Sequence, residues 1–306
     1  MRGPQRDANN PRMNGSVTSF GPTSQTFVSQ RLKLNYVDWG NPDAPPLVLV
    51  HGGRDHARSW DWTAEALRRD WHVVAMDHRG HGDSDWVSDG NYAVSDMVYD
   101  LAQMIHQLGR GPVTIVSHSM GGNVALRYAG TFPEMVRKIV AIEGLGPSPK
   151  RAAEMRSVSY PQRMAEWIEK KRKAAGRLPR RYESIEAAFA RMIEENSYLT
   201  PEQARHLTIH GVNRNEDGTF SWKFDPHLNV WAVEDVADEF IHQTWAAITA
   251  PTLMLYGADS WASNPVHDGR LAHFTNDPQV IEFEKAGHWL HHDQFDRFMN
   301  VLSDFL

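Results

Sequence analysis

Val113-Thr114-Ile115-Val116-Ser117-His118-Ser119-Met120-Gly121-Gly122 is the stretch on which the fold turns. Its first four residues, mostly β-branched and apolar, read as a strand buried on both faces. A helix is predicted from about Asn123 to Thr131, so the chain must reverse sharply between the two. Such a strand-to-helix turn leaves its middle side chain, here Ser119, projecting from the bend. Only small residues fit two places to either side, because a larger Cβ substituent would clash. Ser117 and Gly121 meet that condition, and Gly122 lets the helix approach the sheet. Serine at 117 stands where glycine is the commoner choice.

The same rhythm of short apolar run and helical pattern continues outward, as in parallel βαβ architecture. Upstream, Leu32 to Trp39 alternates like a half-buried strand. Leu47-Val48-Leu49-Val50 and His72-Val73-Val74-Ala75-Met76-Asp77 read as central strands. Met97, Leu101, Ile105 and Leu108 fall at helical spacing within Ser95–Leu108. Downstream, Lys138–Ile142, Thr252–Tyr256 and Val280–Phe283 are strands, and a closing helix is expected from about His292 to Phe305. Between about residues 144 and 247 the pattern turns charged and mainly helical, with a turn-rich piece from Asn213 to Phe224. The expected division is an α/β core over 26–146 and 246–306, an inserted helical lid over 147–245, and a flexible extension over 1–25. That extension is rich in Pro, Asn, Gly, Ser and Arg.

A bare serine hydroxyl is a poor nucleophile at neutral pH and needs a base, with a carboxylate to orient that base. Both should sit on loops after later strands, since the carboxyl ends of parallel strands converge on one crevice. Gly287-His288 follows the last strand and Gly257-Ala258-Asp259 the one before it, which nominates His288 as base and Asp259 as its carboxylate. Glu143, at the end of the strand after the nucleophile helix, is the rival acid, and Asp268 a more distant one.

Five elements stand in one order: His51-Gly52-Gly53, Asp77-His78-Arg79-Gly80-His81-Gly82-Asp83-Ser84, the Ser119 turn, Gly257-Ala258-Asp259 and Gly287-His288-Trp289. Together they resemble the α/β-hydrolase fold family, with the insertion where that family carries its cap. The segment His288–Gln294 is similar to the catalytic-histidine loop of its bacterial, carboxylesterase-like members. The resemblance implies a mostly parallel, doubly wound sheet and hydrolysis of a carboxylic ester through an acyl-Ser119 intermediate. It also implies an oxyanion hole. Met120, next after the nucleophile, gives one N–H, and Gly53 the other, with Arg54 as the alternative. The Gly-Ala-Asp context of Asp259 matches the family's commoner acid. Lactone or C–C bond hydrolysis uses the same three residue types. The C–C enzymes typically carry Gly-Asn-Ser-Met-Gly-Gly where this chain has Ser-His-Ser-Met-Gly-Gly. A non-catalytic binding module on the same fold is the reading from outside enzymology.

Composition sets the outer limits. The 306 residues are 41% hydrophobic, carry a formal net charge of −6 and include no cysteine. Disulfides, thiolate catalysis and cysteine-ligated zinc are thereby excluded. His288, His291 and His292 have helical i, i+3, i+4 spacing, but there is no His-Glu-x-x-His pattern, and neither a metal nor a cofactor is expected. The basic stretch from Lys150 to Arg181 reads as a solvated helix face, with no nucleic-acid motif. No signal-like apolar stretch and no run of about 18 apolar residues occurs, so a cytoplasmic protein acting on a small-molecule ester away from the membrane is expected. Trp60, Trp261 and Trp289, each beside a motif, shape an apolar substrate pocket or pack the core. His118 joins them as a pocket-lining candidate, although its place in a tight turn suits a structural role equally well. Trp222, Trp231 and Trp245 are read as packing residues of the lid.

Overall fold

The structure is a computed structural model and describes residues 21–230, 233 and 236–306. The expected flexible extension lies outside these except for its last five residues, and Trp231 lies outside them altogether. Strand β1 (Thr23–Ser29) already begins within the stretch assigned to the extension. It pairs antiparallel with β2 (Leu32–Asp38) through the tight turn at Gln30 and Arg31.

Strands β3 (Pro46–Val50), β4 (His72–Met76), β5 (Val113–His118) and β6 (Val136–Ile142) follow, with helices α1 (Asp61–Leu67), α2 (Val94–Leu108) and α3 (Ser119–Thr131) between them. The insertion then forms α4 (Pro149–Ser157), α5 (Tyr160–Ala174), β7 (Arg181–Tyr182), α6 (Ile185–Glu195), α7 (Pro201–Gly211), β8 (Val212–Arg214), β9 (Phe220–Trp222) and α8 (Asp238–Ala246). The chain closes with β10 (Thr252–Gly257), β11 (Gln279–Phe283), the one-turn α9 (Leu290–Asp293) and α10 (Phe295–Phe305).

Eight strands make one sheet in the order β1-β2-β4-β3-β5-β6-β10-β11, antiparallel at the β1–β2 edge and parallel from β4 onward. This is the doubly wound sheet expected from the sequence. Side chains alternate across it, as a two-residue period requires. Val48 and Val50 join Met97, Leu101, Val124 and Trp245 on one face. Leu47 and Leu49 join Leu67, Leu290, Phe298 and Leu302 on the other. Burying both faces explains why the central strands are apolar throughout.

Two features of the inserted stretch go beyond the sequence reading. The turn-rich piece from Asn213 to Phe224 is a hairpin, and with β7 it forms a second, three-stranded sheet in the order β7-β9-β8. Helix α8, assigned to the lid, instead packs in the core beside α3, with Ile241 and Trp245 on the main apolar cluster. A Cβ on Gly130 of α3 would stand 2.0 Å from the Thr244 carbonyl oxygen, so the two helices meet backbone to side.

Candidate active site

Helix α3 starts at Ser119 with that residue at φ +52°, the bend expected for a projecting side chain. The small neighbours have concrete reasons. A Cβ on Gly121 would lie 2.3 Å from the His51 carbonyl oxygen. Ser117, buried, donates its hydroxyl to the Val140 carbonyl at 2.8 Å, so serine fits where glycine is commoner. Gly122 and Gly144 face each other: a Cβ on either would come within 2.5–2.7 Å of the other's Cα. That contact draws the segment after β6 against the start of α3 and sets Glu143 beside the bend.

His288 Nε2 lies 2.8 Å from Ser119 Oγ. Its Nδ1 is hydrogen-bonded to Glu143 Oε2, not to Asp259. The Glu143 side chain is fully buried, whereas His288 is 21% exposed. The carboxylate is otherwise satisfied by the Gly257 N–H at 2.9 Å and the Ser260 hydroxyl at 2.6 Å. With the carboxylate accepting at Nδ1, the proton belongs on that nitrogen and Nε2 is left to accept from Ser119.

The expectation that Asp259 orients the base is therefore corrected. Asp259 is exposed and accepts the Tyr198 hydroxyl at 2.8 Å, a tie between insertion and core. The turn after β10 is responsible. Gly257 packs where a Cβ would meet the carbonyls of Gly287 and Ala286 at 2.4 and 2.5 Å, and the Asp259 N–H bonds the Ala286 carbonyl at 3.0 Å. This turn brings Ser260, one residue later, to the carboxylate. Asp268 pairs instead with Arg270.

Gly53 lies near Met120, the residue after Ser119. A Cβ on Gly53 would meet Met120 Sδ at 3.9 Å, and Met120 occupies the first turn of α3, where N–H groups have no intrahelical acceptor. Arg54, beside Gly53, turns its guanidinium to Asn229. A cavity of about 690 Å³ opens over the site between core and insertion, lined by Gly53, His288, Trp261, Trp289, Tyr198 and Leu199 among others. Of the four side chains assigned to substrate, Trp261 and Trp289 line it. Trp261 is 76% exposed, its ring centroid 4.5 Å from that of His288.

Trp60 and His118 do not reach the cavity. Trp60 is fully buried and stacks on His291. His118, also buried, lies beneath His288, and its Nε2 is 2.9 Å from the His288 carbonyl oxygen. It fills the space that a side chain on Gly52 would need. His291 and His292 are buried, against Trp60 and Trp62. Burial drives the imidazoles of His118 and His291 well below their ordinary pKa, and that of His292 down to about 3. A second buried group, His51, His78 and His81, underlies the two histidine-bearing glycine motifs, and burial lowers all three. His51 Nε2 accepts the His78 N–H at 3.0 Å, fixing one loop to the other.

Three positions escaped the sequence reading. Ser260 and Tyr198 carry no motif. Asp293, whose Oδ2 accepts the Gly287 N–H at 2.8 Å, braces the His288 loop, and burial pushes its carboxyl up to about 6. Its place six residues past Gly287 was the available signal.

A family model described as the alpha/beta hydrolase fold matches residues 45–192. The 3-hydroxybutyrate-oligomer hydrolase of Cupriavidus necator is 30% identical over 243 residues, 74% of this chain and 77% of that protein. The chain belongs to the α/β-hydrolase fold family. An esterase of Mycobacterium tuberculosis is 26% identical over 94% of this chain and 90% of its own. Its solved structure superposes with a TM-score of 0.71 at 23% identity, over 92% of this chain and 90% of that one. A thioesterase domain from the curacin biosynthetic pathway gives a TM-score of 0.78 at 19% identity, over 93% of this chain and all of that one, a likeness of fold. Hydrolase activity is what the family and the named relatives support. Among the described residues no helix is long and apolar enough to cross a membrane.

Proposed function

We propose that this α/β hydrolase cleaves a carboxylic ester through an acyl-enzyme at Ser119, with His288 as general base and Glu143 as the carboxylate that orients it. The supporting observation is the unbroken line from a buried, fully hydrogen-bonded Glu143 through His288 to the Ser119 hydroxyl at 2.8 Å. His288 Nε2 takes the Ser119 proton as Oγ attacks the carbonyl carbon, and Glu143 stabilises the imidazolium that forms. The oxyanion is received by the N–H groups of Met120 and Gly53; one such donor is worth roughly 3–4 kcal/mol. Collapse of the intermediate breaks the ester C–O bond, and His288 returns the proton to the leaving alkoxide. Water, activated by the same imidazole, then releases the acid.

The insertion up to α8 acts as a cap, and the cavity beneath it takes a small-molecule ester whose acyl part packs on Trp261 and Trp289. The relatives named esterase and 3-hydroxybutyrate-oligomer hydrolase support an ester as substrate. The test is turnover of a short p-nitrophenyl ester together with labelling by a fluorophosphonate probe. Wild type should do both and Ser119→Ala neither, with an unchanged thermal midpoint. Turnover that survives in Ser119→Ala would remove the assignment.

A further inference from the structure

One cluster of donor groups stands apart from the Ser119 line. Asp61 lies in the first turn of α1, on the core; His206 and His210 lie one turn apart on α7, in the insertion. An i, i+4 pair shares one helix face, and here that face is turned to Asp61. His206 Nε2 is 3.0 Å from Asp61 Oδ2. The two imidazole centroids are 4.6 Å apart, and one donor atom from each of the three residues lies within 4.8 Å of the others. All three are partly buried, so the donors are held yet open to water. The Trp62 ring packs 4.5 Å from His206 and limits its movement. His210 has no hydrogen-bond partner among the described residues; its only ring neighbour is His206.

We propose that Asp61, His206 and His210 bind a divalent transition-metal ion of the zinc type, with water completing a tetrahedron, and so tie α7 to α1. Two imidazoles and a carboxylate are the nitrogen and oxygen donors such ions take, and three protein ligands plus water is a common zinc set. Zinc–nitrogen bonds of about 2.0–2.1 Å place tetrahedral ligands roughly 3.3 Å apart. The donor atoms here lie within 4.8 Å of one another, and side-chain rotation of the unpartnered His210 supplies any closure the ion needs. Arg58 works against the ion. Its Nε donates to Asp61 Oδ1 at 2.7 Å and its terminal nitrogen to Oδ2 at 2.6 Å, neutralising the carboxylate the metal would use. The site is thus one that fills when zinc is supplied, and removing Arg58 strengthens it.

The site is independent of the ester chemistry, and its test reads binding directly. Metal-free protein is titrated calorimetrically with zinc chloride, with the thermal midpoint followed in parallel. Wild type should bind one ion per chain and melt higher with zinc. His210→Gln, which breaks no hydrogen bond, should weaken binding at least about tenfold, since even a change beyond the ligands costs that much. Arg58→Ala should tighten it. Cobalt(II) should give the intense visible bands of four-coordinate geometry in wild type and lose them in His210→Gln. No zinc binding by wild type, or unaltered binding by His210→Gln, overturns the proposal.

Discussion

Ser119 and Glu143 share a backbone conformation that L-residues avoid, with φ of +52° and +50°. A left-handed position costs a residue with a side chain roughly 1–2 kcal/mol. Both strained positions lie on the same hydrogen-bonded line, where strain is expected to be kept for its use. Glu143 owes its role to that twist, which swings its carboxylate from the end of β6 toward His288. Glu143→Gln should leave the fold intact and lower kcat by roughly 10³–10⁴-fold, as a neutral amide no longer stabilises the imidazolium. Asp259→Asn should leave kcat near wild type, because only the Tyr198 hydroxyl is lost. A pre-steady-state and steady-state comparison of the two variants decides between the carboxylates. The sequence made Ser119 and His288 legible because each sits in a short motif on a strand end. It did not reveal the acid, because Gly-Ala-Asp and Glu-Gly both follow strands that border the crevice. What separates them is the path of the turn at Gly257, which no local pattern encodes.

At the level of elements, the Gly122–Gly144 contact joins the start of α3 to the end of β6 and sets the spacing of Ser119 and Glu143. Gly144→Ala would insert a methyl 2.7 Å from the Gly122 Cα and 3.3 Å from the Ala141 Cβ, with no flexible side chain to yield. We expect a loss of about 1–3 kcal/mol in stability, read from the urea midpoint, and a fall in kcat larger than the rise in KM. A variant with wild-type kcat would mean that the acid's position is set elsewhere. The sheet was legible from the apolar runs because burial on both faces leaves them no polar alternation. The lid boundary was not. Helix α8 has the charged exterior of the preceding helices, and only its inner residues, Ile241 and Trp245, show that it belongs to the core. The hairpin of β8 and β9 was hidden because three-residue strands are too short to show a period.

The whole molecule carries an unusual load of interior imidazole. Seven histidines, His51, His56, His78, His81, His118, His291 and His292, are buried and held neutral below their ordinary pKa, chiefly by desolvation. In the unfolded chain each takes up a proton near pH 6.5. Their contribution to stability is therefore whole above that value and is lost as pH falls through the window below it. All seven act in the same direction, each costing stability as the pH falls below the ordinary imidazole value. Asp55, raised to about 7 by burial, and Asp293, raised to about 6, run the other way. Burial raises the carboxyls of Asp77 and Asp100 in the same sense. Circular dichroism against pH should accordingly show cooperative unfolding on the acidic side of neutrality; a fold intact at pH 4 would contradict the neutral interior. Mildly acidic surroundings should thus silence the enzyme by melting it. The acidic flank of its rate profile would then drop more steeply than one ionisation allows, and returning to neutrality would restore rate only as fast as the chain refolds.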